Sequence, residues 1–371
     1  MAALMTDAAL PRPTARPLAV SNWLLSLCAL IFVMVVVGGI TRLTESGLSI
    51  TEWKPISGAI PPITEAQWLR EFELYKRIPE YQQINNGMSL ADFKNIFFWE
   101  WVHRQLGRVI GLVALLPLLW FAVKKAIPRR YGWRTGSIFL LVCVQGAIGW
   151  WMVASGLTER TDVSHVRLAV HLLTALLIFG FTLWTALDLR SEGAVPRRIP
   201  TIGLWAFAAL ALQLLFGAYV AGLDAGYAFN SWPLMGDEIY PSAAPWLEPF
   251  FRNFVDNPIT VQFIHRWWAF VVLVFAVALA RRVRTLSRRH SAALHAAIGL
   301  QILLGIGTLL SGMNLHVAVA HQATAVLVVA SFVAAVHRLA GARATASTLP
   351  GTRGFEDEPN FPLVPSEAEA R

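Results

Sequence analysis

Two polar pairs inside apolar stretches of the chain are the residues best suited to chemistry. Glu100 and His103 lie three positions apart in an apolar run that continues to Leu116, and Gln262 and His265 repeat the arrangement later in the chain. Residues three apart share one face of a helix. Ionisable groups within a membrane-spanning segment are rare and costly, so pairs of this kind indicate a functional site.

Two further histidines, His171 and His321, lie at the same depth in their own apolar segments. Each of the four histidines is about five to eight residues from the outer end of its segment, which at roughly 1.5 Å per residue is about 8–12 Å below the outer surface. A hydrogen-bonded packing histidine is a fair alternative for any single one. Four at one depth, as two repeat-related pairs, favour ligands of a bound group.

Two imidazoles that face each other across a helical bundle suit the axial positions of a haem iron. Three arginines beside the ligand candidates could pair with the haem propionates: Arg104, Arg108 and Arg266. Anchoring of the helix ends at the interface is the alternative role for each. A zinc or copper site is disfavoured, because each half of the chain supplies two histidines without a nearby cysteine or carboxylate pair.

The elements that must position these side chains are membrane-spanning helices. Of the 371 residues, 56% are hydrophobic and only 15% are charged, which is too apolar for a soluble domain of this size. Eight segments approach the ~20 residues that a helical span needs: 22–41, 96–123, 135–155, 166–188, 201–222, 259–280, 291–312 and 317–339. The chain is therefore predicted to be an all-α integral membrane protein.

Basic residues cluster after the second, fourth and sixth spans, whereas the opposite loops are mixed or acidic. The positive-inside rule assigns such clusters to the cytoplasm. Both termini are therefore predicted to be cytoplasmic, and the histidines to lie toward the periplasmic side of the inner membrane. The formal net charge of +8 reflects this topology and does not indicate nucleic-acid binding.

The second half of the chain repeats the first. Gly38 matches Gly217, and the motif at 100–104 matches residues 262–266. Because each unit has four spans, both insert the same way round, and the predicted relation is a pseudo-twofold axis along the membrane normal. The predicted parts are a disordered cytoplasmic N-terminus (1–21), a first four-helix bundle (22–190) with a long outer loop (42–95), a cytoplasmic linker (191–200), a second four-helix bundle (201–339) and a disordered cytoplasmic C-terminus (340–371).

The first outer loop is long enough to hold structure of its own. Thr64 and Gln67 match a capping box, and Trp68, Phe72 and Tyr75 recur at helical spacing. We predict a short amphipathic helix over the mouth of the first bundle, with a helix resting on the membrane surface as the alternative.

Four residues have roles that the sequence leaves open. Cys28 and Cys143 lie in apolar spans, where a small buried side chain is the plain interpretation, and a disulfide between them stays open. His165 and His316 begin their spans at the outer side. They are either interfacial residues or part of the lining of an entrance.

Together these features resemble the haem A synthase family. The resemblance is carried by the two four-span units, the Glu-x-x-His-Arg motif at 100–104, the His-Arg pair at 265–266, the later histidine of each half and the glycine-rich stretch at 38–50. It covers residues 23–338. Some members carry a cysteine pair in an outer loop; this chain has none, which places it nearer the mitochondrial and proteobacterial type.

The resemblance implies a reaction and its cofactors. Members oxidise the methyl group at position 8 of haem O to a formyl group through successive hydroxylations, giving haem A for terminal oxidases. One bundle is expected to hold the substrate haem and the other a permanent haem b. Haem O is expected to come from a membrane haem O synthase and to pass from the lipid through a lateral opening in the first bundle. The electron acceptor is not indicated.

The two halves differ at one decisive position, Glu100 against Gln262. A carboxylate can take a proton from a reacting centre, whereas an amide cannot. The first bundle is therefore predicted to be catalytic, with haem O between His103 and His171 and Glu100 as proton acceptor or cation stabiliser. The second is predicted to hold haem b between His265 and His321. A structural ion pair with a nearby arginine is the alternative role for Glu100.

Two other classes of protein compete with this interpretation. A di-haem cytochrome b would also use paired histidines, but it would place its haems at two depths in order to carry electrons across the membrane. A transporter built from parallel repeats would need broken helices at the midplane. Glycines in both halves suit close helix packing and allow a homo-oligomer.

Overall fold

The computed structural model describes residues 15–191 and 195–347. Within these ranges the chain is helical, with an isolated β-bridge between Met235 and Glu238 and no strand. The helices in chain order are α1 (Pro17–Leu43), α2 (Glu65–Tyr75), α3 (Pro79–Gln83), α4 (Leu90–Val123), α5 (Gly132–Ala154), α6 (His165–Arg190), α7 (Thr201–Gly222), α8 (Pro258–Arg284), α9 (Arg288–Leu310) and α10 (Leu315–Ser347). Short 3-10 helices lie at Ser57–Ala59, Arg129–Tyr131, Ala225–Tyr227 and Phe250–Phe254.

Eight of these helices are long and apolar enough to cross a membrane: α1, α4, α5, α6, α7, α8, α9 and α10. The prediction of an all-α integral membrane protein with eight spans is confirmed. The α4 helix begins six residues before its predicted span, because the Ser89 side chain caps it by accepting a hydrogen bond from the Asp92 N–H at 3.2 Å.

Both segments predicted to be disordered termini include residues that are helical in the structure. The α1 helix begins at Pro17, inside the predicted N-terminal segment 1–21, because proline suits the first turn of a helix and apolar residues follow it. The α10 helix continues to Ser347, inside the predicted segment 340–371, where alternating alanines favour helix. The rest of these predictions, residues 1–14 and 348–371, lies outside the described ranges.

The spans of each half pack in a ring. In the first half α1 contacts α4 and α6, and α5 closes the ring between α4 and α6. In the second half α7, α8, α9 and α10 follow the same order. Between the halves, α1 contacts α10 and α6 contacts both α7 and α10. Exchanging the repeat-related helices maps the first of these contacts onto the second, which supports the predicted pseudo-twofold axis; the axis itself stays a prediction.

The core lies along the seam between the two rings. Leu24 and Leu27 of α1, Ile178 of α6, and Phe332 and Val336 of α10 are fully or almost fully buried. Lipid tails are as apolar as these side chains, so close packing and interhelical hydrogen bonds hold such a seam. One such bond runs from α10 to α1.

Polar side chains form hydrogen bonds between helices at this interface. The Gln322 amide of α10 donates to the Val35 carbonyl of α1 at 2.9 Å. At the helix ends far from the four intramembrane histidines, Asp188 is fully buried and accepts from Arg134 at 2.7 Å, and it lies 2.9 Å from the His337 imidazole. A buried carboxylate with two cationic or hydrogen-bonding partners fixes α5, α6 and α10 to one another.

The predicted amphipathic helix of the first outer loop is present as α2. Thr64 and Gln67 form its capping box. Its apolar face packs on the outer turns of α4: the Phe72 ring stacks on Phe93 with 4.9 Å between centroids, and Trp68 meets Phe97 edge-on at 5.0 Å. This packing on α4 supports the predicted position of α2 over the first half, and α2 and α3 together form a cap at that end.

Candidate haem site

The four intramembrane histidines lie on four different helices and form two pairs. His103 on α4 is close enough to His171 on α6 for their charges to interact, and His265 on α8 stands in the same relation to His321 on α10. All four side chains are only half-buried although they face helices of their own half. Each half therefore brings two partly accessible histidines close to one another.

Each imidazole rests against a glycine of a neighbouring helix. A Cβ atom added at the glycine would lie 2.9–3.2 Å from the imidazole Cε1 atom, in the pairs Gly38 with His103, Gly149 with His171, Gly217 with His265 and Gly305 with His321. Contacts this short would force the ring to move. The glycines therefore make four equivalent seats, in each of which an added methyl group would displace the imidazole.

Glutamines that the sequence interpretation did not select contact three of these rings. Their side-chain Nε2 atoms lie 3.1–3.3 Å from an imidazole Nδ1: Gln145 at His171, Gln213 at His265 and Gln301 at His321. The carboxamide oxygens of all three are buried and have no hydrogen-bond partner within the described residues. The signal that could have found them is their spacing, since each stands four residues before one of the seat glycines.

The donor set fits haem iron better than a metal held by protein alone. No group of three or more His, Cys, Asp or Glu side chains in the described ranges could hold a metal ion. Two facing imidazoles per half supply two axial ligands and leave the remaining positions to a planar macrocycle. The predicted ligands His103, His171, His265 and His321 thus offer a donor set that suits two haems, and their role as ligands stays a prediction.

Glu100 is almost fully buried and fully hydrogen-bonded. One carboxylate oxygen accepts from Ser49 Oγ and the Ile50 N–H, both at 2.7 Å. The other accepts from Arg104 Nε at 3.0 Å and Nη2 at 2.6 Å. These four donors fill the lone-pair directions of a carboxylate. The ion pair considered as the alternative role is present, and a proton-acceptor role requires one of these bonds to open.

Gln262 and Arg266 make the corresponding contacts in the second half. The Gln262 amide donates to the Phe229 carbonyl at 2.9 Å, and Arg266 donates to the carbonyls of Phe229 and Ser231 at 2.7 and 2.8 Å. In the first half Arg104 likewise donates to the Ile50 carbonyl at 2.7 Å. In both halves the motif therefore ties the outer loop that follows the first span to the histidine-bearing helix.

The three arginines predicted at the propionates are engaged with loop backbone. Arg108 donates to the carbonyls of Pro55 and Lys54 at 2.9 and 3.0 Å, and Arg104 and Arg266 are held as described above. Arg266 Nε is buried without a partner among the described residues, so a donor remains at the second pair. Pairing with propionates stays a prediction for all three.

The residues left open by the sequence lie away from the imidazole pairs. His165 is buried with Nε2 3.2 Å from an Asp256 oxygen, and His316 is exposed. Cys28 is buried and Cys143 is exposed, and both are free thiols. The disulfide left open between them does not form.

Comparison with known proteins agrees with this geometry. Residues 21–333 match the protein family described as Cytochrome oxidase assembly protein. Heme A synthase of Sphingopyxis alaskensis is 52% identical over 332 residues, which are 87% of this chain and 93% of that protein. The chain belongs to the haem A synthase family.

Other members of the haem A synthase family are similarly close. Heme A synthase of Rhizorhabdus wittichii is 52% identical over 88% of this chain and 96% of its own length. Heme A synthase of Rhodopseudomonas palustris strain BisA53 is 50% identical over 91% of this chain and 96% of its own length. The family resemblance drawn from the motifs is thus confirmed.

Proposed function

We propose that the chain is a membrane-bound oxidoreductase that converts haem O to haem A by oxidising the methyl group at C8 to a formyl group. The observation that carries the proposal is the pair of equivalent imidazole sites, of which only one has a carboxylate on the same helix face. Similarity at about half identity to proteins named Heme A synthase supports the same reaction.

The first half holds the substrate. His103 and His171 bind the iron of haem O and thereby fix the macrocycle between α4 and α6, with its propionates toward the outer side. Conversion of a methyl group to an aldehyde removes four electrons and four protons in total, two of each at each hydroxylation. Each hydroxylation takes up one water molecule, and the resulting gem-diol loses one. The porphyrin substituent reacts while the axial ligands hold the ring.

The Glu100 carboxylate stabilises positive charge that develops as the methyl group is oxidised. This role suits a buried carboxylate whose position is fixed by Ser49, Ile50 and Arg104, because preorganised charge needs no rearrangement during reaction. Opening of the bond to Ser49 would free a lone pair to accept a proton. Gln262 carries no charge and supports no such step in the second half.

The second half holds the resident cofactor between His265 and His321. Haem b bound there supplies one-electron redox chemistry, which suits the stepwise removal of electrons from the substrate site. An acceptor outside this chain would take up these electrons. Arg266, whose buried Nε has no hydrogen-bond partner among the described residues, would neutralise a propionate.

Haem O reaches its site through the lipid side of the first half, next to α5. The α5 helix has two buried residues, Thr135 and Ile138, both in its cytoplasmic half, whereas the repeat-related α9 also buries Thr308 near its outer end. The outer half of α5 is therefore the least packed wall. A lipid-soluble farnesylated haem delivered by a membrane haem O synthase suits such an opening. The site then lies toward the periplasmic side of the inner membrane, with both termini cytoplasmic.

The test is production of haem A in cells that make haem O but have no other haem A synthase. Membranes of cells expressing the chain are extracted with acidic solvent, and the haems are separated by chromatography. Haem A is expected with the wild-type chain and absent with His171→Ala. Wild-type membranes that contain haem O but no haem A would refute the proposal, and about two haems b per chain would instead favour the di-haem electron carrier.

A further inference from the structure

The four imidazole seats share a sequence pattern that is broken once. In three seats, the residue four positions before the seat glycine contacts the imidazole through its side chain. That residue is glutamine in three seats and methionine in the fourth: Gln145 before Gly149, Gln213 before Gly217, Gln301 before Gly305 and Met34 before Gly38. We call the first three Gln-x3-Gly seats. The exception lies opposite His103.

In the second half, a backbone carbonyl of the seat helix also lies within hydrogen-bond distance of each imidazole. His265 Nδ1 lies 3.3 Å from the Gln213 carbonyl oxygen, and His321 Nδ1 lies 3.1 Å from the Gln301 carbonyl oxygen. An imidazole that binds iron through Nε2 carries its proton on Nδ1, and these carbonyls can then accept from the ring. Such a bond fixes the tautomer and ring orientation and makes the ligand more basic.

Gln213 brings the ring to that carbonyl. Its side-chain amide donates to the backbone carbonyl of His265 at 3.0 Å, which holds the ligand-bearing turn of α8 against α7. The Cβ position of Gly217 is then 3.4 Å from Nδ1. Gln213 thus acts through His265 and is a positioning residue.

His103 lacks all of these contacts. Met34 has no N–H with which to hold the backbone carbonyl of His103, and its terminal methyl group instead packs against Gly107 of α4. The Cβ position of Gly38 is 3.9 Å from the His103 Nδ1, against 3.4 Å in the second half. Within the described ranges, no hydrogen bond reaches the His103 ring, whereas the His171 ring keeps its contact with Gln145 at 3.1 Å.

We propose that Met34 makes His103 the releasable ligand of the first half and that Gln213 makes His265 a permanent ligand of the second. This inference rests on the proposed function, since it takes the histidines to be haem ligands. A haem that must enter as substrate and leave as product needs one axial ligand that dissociates readily from the iron. A resident haem needs two axial ligands that stay bound.

The experiment exchanges the two residues and measures release of haem. Protein purified from cells that make haem b and haem O is mixed with excess apomyoglobin, and transfer is followed by absorbance, with chromatography to identify the haem that leaves. Mutation of a residue that positions a metal ligand typically costs about 10–100-fold in affinity. Gln213→Met is therefore expected to speed release of haem b at least about tenfold, and Met34→Gln to slow release of the first-half haem by a similar factor.

Controls separate this effect from general loosening. Met34→Leu keeps an apolar side chain and is expected to release haem as the wild type does. In each variant the haem of the other half serves as an internal control, because its release should not change. The low-spin ferric EPR signal of the first-half haem should shift toward that of the second in Met34→Gln, which a merely structural change would not produce.

Two contrary results have different meanings. Two bound haems whose release rates and EPR signals do not respond to either exchange would overturn this inference and leave the proposed function standing. Wild-type protein that binds no haem at all would overturn both.

Discussion

The two halves of the molecule use the same parts and differ at a few positions. Both seat imidazoles against glycines, and both use the residue three before the first histidine to tie down an outer loop. The first half has a carboxylate at that position, methionine four residues before the glycine that contacts its first histidine, and the α2–α3 cap over its outer end. The second has an amide, a glutamine and no such cap in its described loop. A repeated scaffold thus becomes two different sites through small changes.

The second half also acts as a control for the first. Gln262 and Arg266 anchor their loop without a carboxylate. Loop anchoring is therefore not a sufficient reason for Glu100, although Glu100 anchors Ser49 and Ile50. The second half lacks the buried negative charge that Glu100 supplies in the first. The charge is therefore the feature of Glu100 to test.

The largest effect is expected when one histidine ligand is removed from each half in turn, which tests whether the two halves are separate haem sites. His265→Ala is expected to abolish haem b binding, because the remaining His321 gives a single axial ligand, and haem A formation should stop. His103→Ala should also stop haem A formation but keep haem b. The check is chromatography of haems extracted from both purified variants. Loss of the same haem in both variants would show that the halves are not separate sites.

Exchange of the acid and the amide sharpens the comparison. Glu100→Gln is expected to retain both haems, because an amide still accepts from Ser49 or Arg104, but to lower the rate of haem A formation by about 100-fold or more through loss of preorganised charge. Gln262→Glu places the same charge beside Arg266 and should leave the rate nearly unchanged. Rates come from the haem A content of membranes over time. A nearly normal rate in Glu100→Gln would return Glu100 to a purely structural role.

Filling the seats produces a smaller effect that also differs between halves. Gly217→Ala places Cβ 2.9 Å from the His265 ring, whereas Gly38→Ala leaves 3.2 Å to His103. Overpacking of this kind costs about 1–3 kcal/mol, so both variants should bind haem less well, and Gly217→Ala should lose more. Haem-to-protein ratios after purification measure the difference. Equal retention in Gly217→Ala and the wild type would show that the seat tolerates a methyl group.

The smallest expected effect concerns the cap that only the first half possesses. Burial, together with the nearby Glu100, Asp162 and Glu45, raises the pKa of Glu80 to about 8. The closed cap therefore holds a proton that an open cap would release, so its stability is greatest below the usual carboxyl pKa and falls as the pH rises toward 8. The loss is at most about 1.4 kcal/mol per pH unit.

Hydrogen exchange of residues 79–83 tests this pH dependence. After correction for intrinsic rates, protection should be weaker at pH 8 than at pH 6. Glu80→Gln has no proton to lose and should show equal protection at both values. A wild-type cap with the same protection at both pH values would contradict the assignment.

Much of this arrangement could be predicted from the sequence because it follows local patterns. Span hydropathy predicts the eight helices, the capping box at Thr64 predicts α2, and the internal repeat selects the four histidines. Gln213 was missed because its counterpart in the first half is Met34. The two halves differ at this position, so the internal repeat does not point to it. The bonds of Glu100 to Ser49 and Ile50 join residues about fifty positions apart, and no local pattern encodes such contacts. Helix ends also ran past the apolar spans, since proline and alanine extend a helix without raising hydropathy much.

The central claim is that one site keeps its haem and the other exchanges it. The most direct measurement is the haem content of purified wild-type protein from cells that cannot make haem O, compared with cells that can. About one haem b per chain is predicted in the first case, with haem O or haem A added at the other site in the second, and His265→Ala should remove only haem b. Two haems b per chain under both conditions, with no haem O or haem A, would contradict the claim.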